Sequence, residues 1–266
     1  MSGSANQPEM TAAAFGPSAE ANAEILKAAE LVTASESGIG DWARTYAVDH
    51  RARLALDLDL IEDFAAPGQT ILEMGSAPYL LTLALKARGH RLTGVDLDPS
   101  RFAALIAAHD LDILDCNIEE KPLPLAGDSV DLVLFNELFE HLRIDPIFTL
   151  GEVLRVLKPG GRLFLSTPNL KSLTGIRNFL FAGEAWSCSQ SVYDQYAKLK
   201  TIGHMGHVRE YTAAEVTDFL SRVGFSVERQ IYRGRYASNW EQMAARMRPQ
   251  LRPFVTYIAG KPAAAA

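Results

Sequence analysis

The chain has 266 residues, 48% of them apolar and 22% charged, which excludes wholesale disorder and allows one substantial domain with a buried core. Its 26 basic and 32 acidic residues give a formal charge of −6, which argues against a nucleic-acid binder with a concentrated basic face. Cys116 and Cys188 provide neither a disulfide framework nor a metal-ligand cluster. The beginning of the chain lacks the charged head and apolar run of a signal peptide, and no run reaches the roughly 18 apolar residues of a membrane span. The expectation is a cytoplasmic protein with reduced thiols.

Residues 1–20 are rich in Ala, Ser, Gly and Pro without apolar periodicity and read as a mobile tail, leaving 21–266 as a single domain. From Ala21 to Val32 the residues Ile25, Ala28, Ala29 and Val32 follow helical spacing. A second helix is expected from an N-cap at Asp41 to Phe64, closed by Pro67-Gly68. Trp42, Tyr46 and His50 share one face of it, a face that packs onto the main sheet or covers a ligand cleft.

Short apolar runs then alternate with helical stretches. Strands are expected at Thr70 to Met74, Arg91 to Val95, Asp112 to Cys116, Asp131 to Phe135 and Arg162 to Ser166. Helices separate them at Pro78 to Arg88, Pro99 to His109 and Asp145 to Leu157, with Pro78 in a first turn, where a missing N–H costs nothing. This alternation implies an α/β fold with a parallel sheet and right-handed crossovers. From about 168 to 208 the pattern breaks, and a stretch that long between core elements reads as a lid or substrate-binding insertion. The aromatics in or beside it, Phe179, Phe181, Trp186, Tyr193, Tyr196 and Tyr211, are expected to form the insertion's own small core, with an apolar or sugar-stacking wall against an acceptor as the alternative. The core resumes with a helix from Thr212, which stands three residues before Glu215 as in a capping box, to Val223. A strand over Phe225 to Ile231, a helix over Trp240 to Met247 and an apolar run over Phe254 to Ala259 complete the pattern.

Chemistry concentrates at the ends of the strands. Gly75, just past the first strand in Glu73-Met74-Gly75-Ser76, lets backbone approach a ligand closely. Asp96 ends the second strand, about twenty residues after the first turn, where an acidic side chain accepts hydrogen bonds from ribose hydroxyls. Asp98 reads as part of an ordinary helix start.

Five segments, in order, resemble the motifs of class I S-adenosylmethionine (SAM) dependent methyltransferases. They are Glu73-x-Gly75, Val95-Asp96, Asn117-Ile118-Glu119-Glu120 with Pro122-Leu123-Pro124, Asp131 to Asn136 with Glu140-His141-Leu142, and Leu157 to Leu163 leading to Ser166-Thr167-Pro168-Asn169. His204 to Thr212 further resembles a segment of the branch that methylates oxygen on small molecules and glycans. The resemblance implies a Rossmann-like doubly wound sheet of seven strands, mostly parallel with the last antiparallel. It implies SAM as cofactor, held by Glu73, Gly75, Ser76, Asp96, Leu97, Asn117, Ile118 and Asn136, and a small-molecule or saccharide acceptor. Neither a nucleic acid nor a metal is expected, and a homodimer is compatible with the reading.

Two positions depart from the family. The first loop has one glycine, Gly75, followed by Ser76-Ala77-Pro78, so donors are expected from Ser76 and the helix N-terminus. Asn117 replaces the usual Asp and is expected to accept from the adenine amino group through its carbonyl oxygen. The single glycine also disfavours a nicotinamide-dependent oxidoreductase, which needs a glycine-rich cradle for pyrophosphate, and Glu73 is expected to repel one.

An oxygen acceptor must lose a proton, and histidine is the natural base at neutral pH. His141, His204 and His207 are the candidates. A metal role for His204 and His207 is not expected, because no nearby cysteine completes a site and two ligands are too few. A catalytically inactive SAM-fold scaffold is the rival reading. A nucleic-acid methyltransferase is a weaker one, hinted only by Arg229, Arg233, Arg235, Arg246, Arg248 and Arg252.

Overall fold

The computed structural model describes residues 16–34, 38–189, 191–201 and 206–263. Its strands are β1 (Thr70–Met74), β2 (Arg91–Asp96), β3 (Asp112–Asp115), β4 (Val130–Asn136), β5 (Leu157–Pro168), β6 (Ser226–Arg233) and β7 (Phe254–Gly260). They form one sheet in the order β3-β2-β1-β4-β5-β7-β6. Only β7 runs against its neighbours, so the doubly wound seven-stranded sheet with a reversed last strand is the one found.

The helices are α1 (Ala19–Leu31), α2 (Ile39–Glu62), α3 (Leu80–Ala87), α4 (Ala103–Ala108), α5 (Pro146–Val156), α6 (Leu173–Arg177), α7 (Val192–Thr201), α8 (Ala213–Val223) and α9 (Asn239–Met247). Alternating strand residues serve two cores. Leu132 and Leu134 of β4 pack with Ile25 of α1, Leu58 of α2 and Leu85 of α3, whereas Val133 and Phe135 pack with Val153 of α5 and Leu220 of α8. Both faces are covered by helices, which explains why β4 reads as a continuous apolar run.

Helix ends account for most differences from the expected pattern. Gly38 at φ +88° precedes α2, so Asp41 lies in the first turn, paired with Arg44, and is not the N-cap. Tyr79 sits in the left-handed region before α3, which leaves Pro78 in the loop and outside the helix. Pro99 opens a 3-10 turn, Pro99–Phe102, and α4 follows it. The segment 16–20 of the expected tail belongs to the fold: Ser18 caps α1 through Ala21 N–H and donates its hydroxyl to Asp59 of α2 at 2.8 Å. The rest of that tail, 1–15, lies outside the described residues. The capping box is present, with Thr212 and Glu215 each accepting the other's backbone N–H.

The insertion leaves and re-enters the core at one point. Leu170 N–H donates to Tyr211 O at 2.9 Å, and the buried Asn169 amide donates to the carbonyls of Gln250 and Arg252. Its aromatics do not make a core: Phe179, Phe181, Tyr193 and Tyr196 are exposed, because α6 and α7 are too short to enclose them. No described helix is long and apolar enough to cross a membrane.

Candidate active site

Strand order reverses between β1 and β4, and the carboxyl ends of strands at such a switch point frame a crevice. A cleft of about 540 Å³ opens there, and Gly75, Asp96, Leu97, Asn117, Ile118 and Asn136 line it. Six of the eight residues expected around the cofactor are therefore brought together. Glu73 and Ser76 are not among them.

The loop after β1 explains both exceptions. Gly75 takes φ +64°, a conformation that favours glycine, and a Cβ there would press on the Leu138 side chain at 3.0 Å. The N–H groups of Gly75 and Ser76 and the Ser76 hydroxyl all turn to Val95 O, and Ala77 N–H donates to Asp96 Oδ2 at 2.9 Å. Tyr79 N–H closes the turn on Ser76 O. The donors expected from Ser76 are thus spent inside the protein.

Glu73 is buried under the loop, and Thr82 donates to its Oε2 at 2.5 Å. Burial, with no cation beside it, pushes its carboxyl up to about 8. Glu73 is therefore largely protonated near neutral pH, and the charge repulsion expected of it does not operate.

Asp96 also has its carboxyl raised by burial, against backbone N–H groups of Ala77, Asp98 and Leu97 that favour the charged form. Asn117 holds Glu119 N–H on its Oδ1 at 3.2 Å, an Asx turn that fixes the side chain at the cleft wall. Glu119, buried behind it, accepts from the N–H groups of Arg143 and Ile144. Asn136 is the open donor: its buried Nδ2 has no hydrogen-bond partner among the described residues, although the residue lines the cleft. A buried amide N–H without a partner costs about 1–3 kcal/mol, which a ligand acceptor removes.

Beyond Asn136 the cleft wall turns polar. Glu137, at φ +49°, accepts from the Ser166 hydroxyl at 2.8 Å and faces Arg233 Nη2 at 3.3 Å. Arg233 is almost fully buried and reaches Asp57 of α2 at 3.0 Å, an ion pair without aligned hydrogen bonds. Arg53, also on α2, lies 3.7 Å from Asp57 and donates to Tyr46 Oη at 2.8 Å. Trp42 and Tyr46 both line the cleft and pack partly on the core, so the stripe on α2 does both jobs expected of it. His50, next along the stripe, stacks on Tyr46 at 4.3 Å, and burial, then Arg53, lowers it to about 4.

Of the three candidate histidines, His141 lines the cleft. Its Nδ1 lies 3.0 Å from Gly206 O, and burial, then His207, lowers it to about 3, so it is neutral at physiological pH. His207 stands behind it with ring centroids 4.7 Å apart and planes at 86°. His204 lies outside the described residues. Contrary to the expectation that no cysteine approaches this pair, Cys188 Sγ lies 3.9 Å from His207 Nδ1, and Glu210 and Glu140 flank the same ring. The fold brings these groups in from the insertion and from the turn after β4.

Several residues of this wall carried no local sequence signal, among them Glu137, Asp57, Arg53 and Arg233. Their pairing joins α2 to β6 and to the end of β4, and no spacing rule spans that distance. The arginines near the end of the chain divide as well: Arg233 and Arg252 are buried and Arg229 lies over Phe64, whereas Arg235, Arg246 and Arg248 are exposed. Arg209, in the segment that re-enters the core, pairs with Glu215 at 2.5 Å.

Residues 72–165, from β1 to β5, match the family described as "Methyltransferase domain". The doubly wound sheet and the cleft at its switch point agree with this likeness to methyltransferase domains. The chain is 32% identical over 162 residues to a Mycolicibacterium smegmatis protein named "Probable S-adenosylmethionine-dependent methyltransferase", covering 60% of this chain and 53% of that one. It is 34% identical over 133 residues to a ubiquinone biosynthesis O-methyltransferase of Hahella chejuensis, covering 48% and 53%. The chain thus spans about half the length of these curated relatives. A solved SAM-dependent methyltransferase from Thermotoga maritima shares the fold, with a TM-score of 0.56 at 18% identity over 84% of this chain and 96% of that one.

Proposed function

We propose that this chain is a SAM-dependent methyltransferase acting on a hydroxyl group of a small molecule or saccharide. The observation that carries the reading is the cleft at the β1–β4 switch point, where Asp96, Asn117 and the unpartnered Asn136 amide converge. These groups suit the uncharged hydrogen-bonding parts of SAM: hydroxyls for Asp96, a base edge for Asn117, an acceptor for Asn136 Nδ2. Bound there, SAM supplies an activated methyl group on a sulfonium. The protein's part is alignment, and holding reactants about 3–3.5 Å apart supplies much of the rate.

The acceptor is assigned to the polar wall formed by Glu137 and His141, with Trp42 and Tyr46 of α2 excluding water from above. Oxygen is favoured over nitrogen because the Hahella relative is named for O-methylation. Calorimetry with SAM and S-adenosylhomocysteine (SAH) is the first test, followed by mass spectrometry of candidate acceptors for a methyl group on oxygen. Micromolar SAH binding supports the reading, and a folded protein that binds neither compound overturns it. One observation favours the scaffold alternative: the loop after β1 spends its N–H groups internally. Failure to bind SAM would move the assignment there.

A further inference from the structure

We propose that Glu140, His141 and His207 form a binding site for a divalent transition-metal cation in the wall of the cleft. One ligand atom from each lies within 4.8 Å of the others, with His207 Nε2 at 4.0 Å from Glu140 Oε1.

The hydrogen bonds behind these side chains prepare them as ligands. Gly206 O can only accept, so the 3.0 Å contact puts the proton of His141 on Nδ1 and leaves Nε2 with a lone pair. A Cβ at position 206 would lie 2.1 Å from Gln195 O, so only glycine lets this backbone stand where it receives His141. His207 Nδ1 faces Glu210 Oε1 at 3.4 Å, again leaving Nε2 on the Glu140 side. A histidine whose second nitrogen donates to a carboxylate or a carbonyl is the usual arrangement around a bound metal, because it fixes the ring and raises the ligand's basicity.

Glu140 supplies the independent observation. It is fully buried; Thr167 donates to Oε2 at 3.0 Å, while Oε1 has no hydrogen-bond partner among the described residues. An unpaired carboxylate oxygen in a low-dielectric interior is costly, and a cation between it and two imidazole lone pairs satisfies all three groups.

Two imidazoles and one carboxylate select borderline divalent ions such as Zn²⁺, Co²⁺ or Mn²⁺ over an all-oxygen calcium cage. Metal–ligand bonds of about 2.0–2.2 Å place adjacent ligand atoms about 3–3.4 Å apart, so Glu140 and His207, at 4.0 Å, must close by under about 1 Å, and no pair, at 4.8 Å or less, by more than about 2 Å. Cys188, His207 Nδ1 and Glu210 form a rival trio. Glu210, however, already accepts from Ser187 N–H and hydroxyl and from the N–H groups of Cys188 and Ser189, which makes it a support for His207. Because His141 lines the cleft, a cation here has open positions toward it. On the methyl-transfer reading, and resting on it, such an ion binds the acceptor oxygen and lowers the hydroxyl pKa, a task for which a deeply buried neutral histidine is poorly suited.

The test is equilibrium dialysis of the full chain against Zn²⁺ and Co²⁺, with circular dichroism as the folding control. Wild type and Cys188→Ser are expected to retain one equivalent, and Glu140→Gln and His207→Gln to bind at least tenfold more weakly. Co²⁺-loaded wild type should show visible d–d bands without a thiolate charge-transfer band, a readout independent of any variant's folding. No stoichiometric binding by wild type overturns the proposal. So does loss of metal in Cys188→Ser with retention in Glu140→Gln, or a thiolate band in the Co²⁺ spectrum. SAH calorimetry on the same preparation separates the two readings, since binding of SAH without metal defeats only this one.

Discussion

The carboxylate of Asp96 accepts a hydrogen bond from the backbone N–H of Ala77 at 2.9 Å, so the end of β2 is tied to the loop that follows β1. One side chain thereby shapes the cleft and offers it an acceptor. The two roles separate in variants. Asp96→Asn keeps an oxygen for Ala77 but loses the charge, and should weaken SAH binding about tenfold, ~1.4 kcal/mol, with little change in melting temperature. Asp96→Ala removes both roles and should lower affinity further, by about a hundredfold, and depress the melting temperature too. Calorimetry and thermal denaturation on both variants check this, and equal effects of Asn and Ala would count against it.

Arg233 is the hinge of the buried network, with Asp57 at 3.0 Å and Glu137 at 3.3 Å. Burial raises the carboxyl of Asp57, while Arg233 and Arg53 pull it down. Arg233→Met strands the buried carboxylate of Asp57 and removes a partner of the half-buried Glu137, and should destabilise the fold by about 3–5 kcal/mol. Adding Asp57→Leu should recover part of that loss, the signature of a coupled pair in a double-mutant cycle. Urea denaturation measures both.

The contrast between these two residues shows what could be read from sequence. Asp96 was legible because strand, turn and acidic residue follow one another locally, at a spacing that the βαβ unit dictates. The Thr212–Glu215 box was legible for the same reason. Arg233 looked like one of several surface arginines, because its partners come from α2 and from the end of β4 and meet it only after the sheet has assembled. Ser76 failed differently. Its position in the loop was correct, but Val95 O lies within reach of its N–H and hydroxyl, and that backbone contact decided where they point. Cys188 approaches His207 only because the insertion folds back on Tyr211, a closure no periodicity announces.

Glu73 makes stability depend on pH. Its folded pKa, about 8, lies above the ordinary value of 4.5, so the folded state binds the proton more tightly than the unfolded chain. The contribution is fully present below pH 4.5 and is lost as pH rises through 8. Glu73→Gln stays neutral and keeps an oxygen for the Thr82 hydroxyl. The melting temperature of wild type relative to Glu73→Gln should therefore fall between pH 5 and pH 8.5. A difference that stays constant over that range would show that Glu73 is ionised throughout.

Trp42 gives a direct view of the cleft. It lies in the first turns of α2, lines the cavity with Tyr46, and stacks on that ring at 5.3 Å. The other two tryptophans, Trp186 and Trp240, are not among the cleft's lining residues, and Trp240 is exposed. Ligand entering the cleft should change the indole environment of Trp42 and leave the other two unaltered. Titrating wild type with SAH should produce a saturable change in tryptophan fluorescence, and Trp42→Phe should abolish most of it while retaining binding by calorimetry. Trp42→Ala, which also opens the roof to water, should weaken binding by about tenfold. A fluorescence change that survives in Trp42→Phe would place the ligand away from α2 and remove that helix from the site.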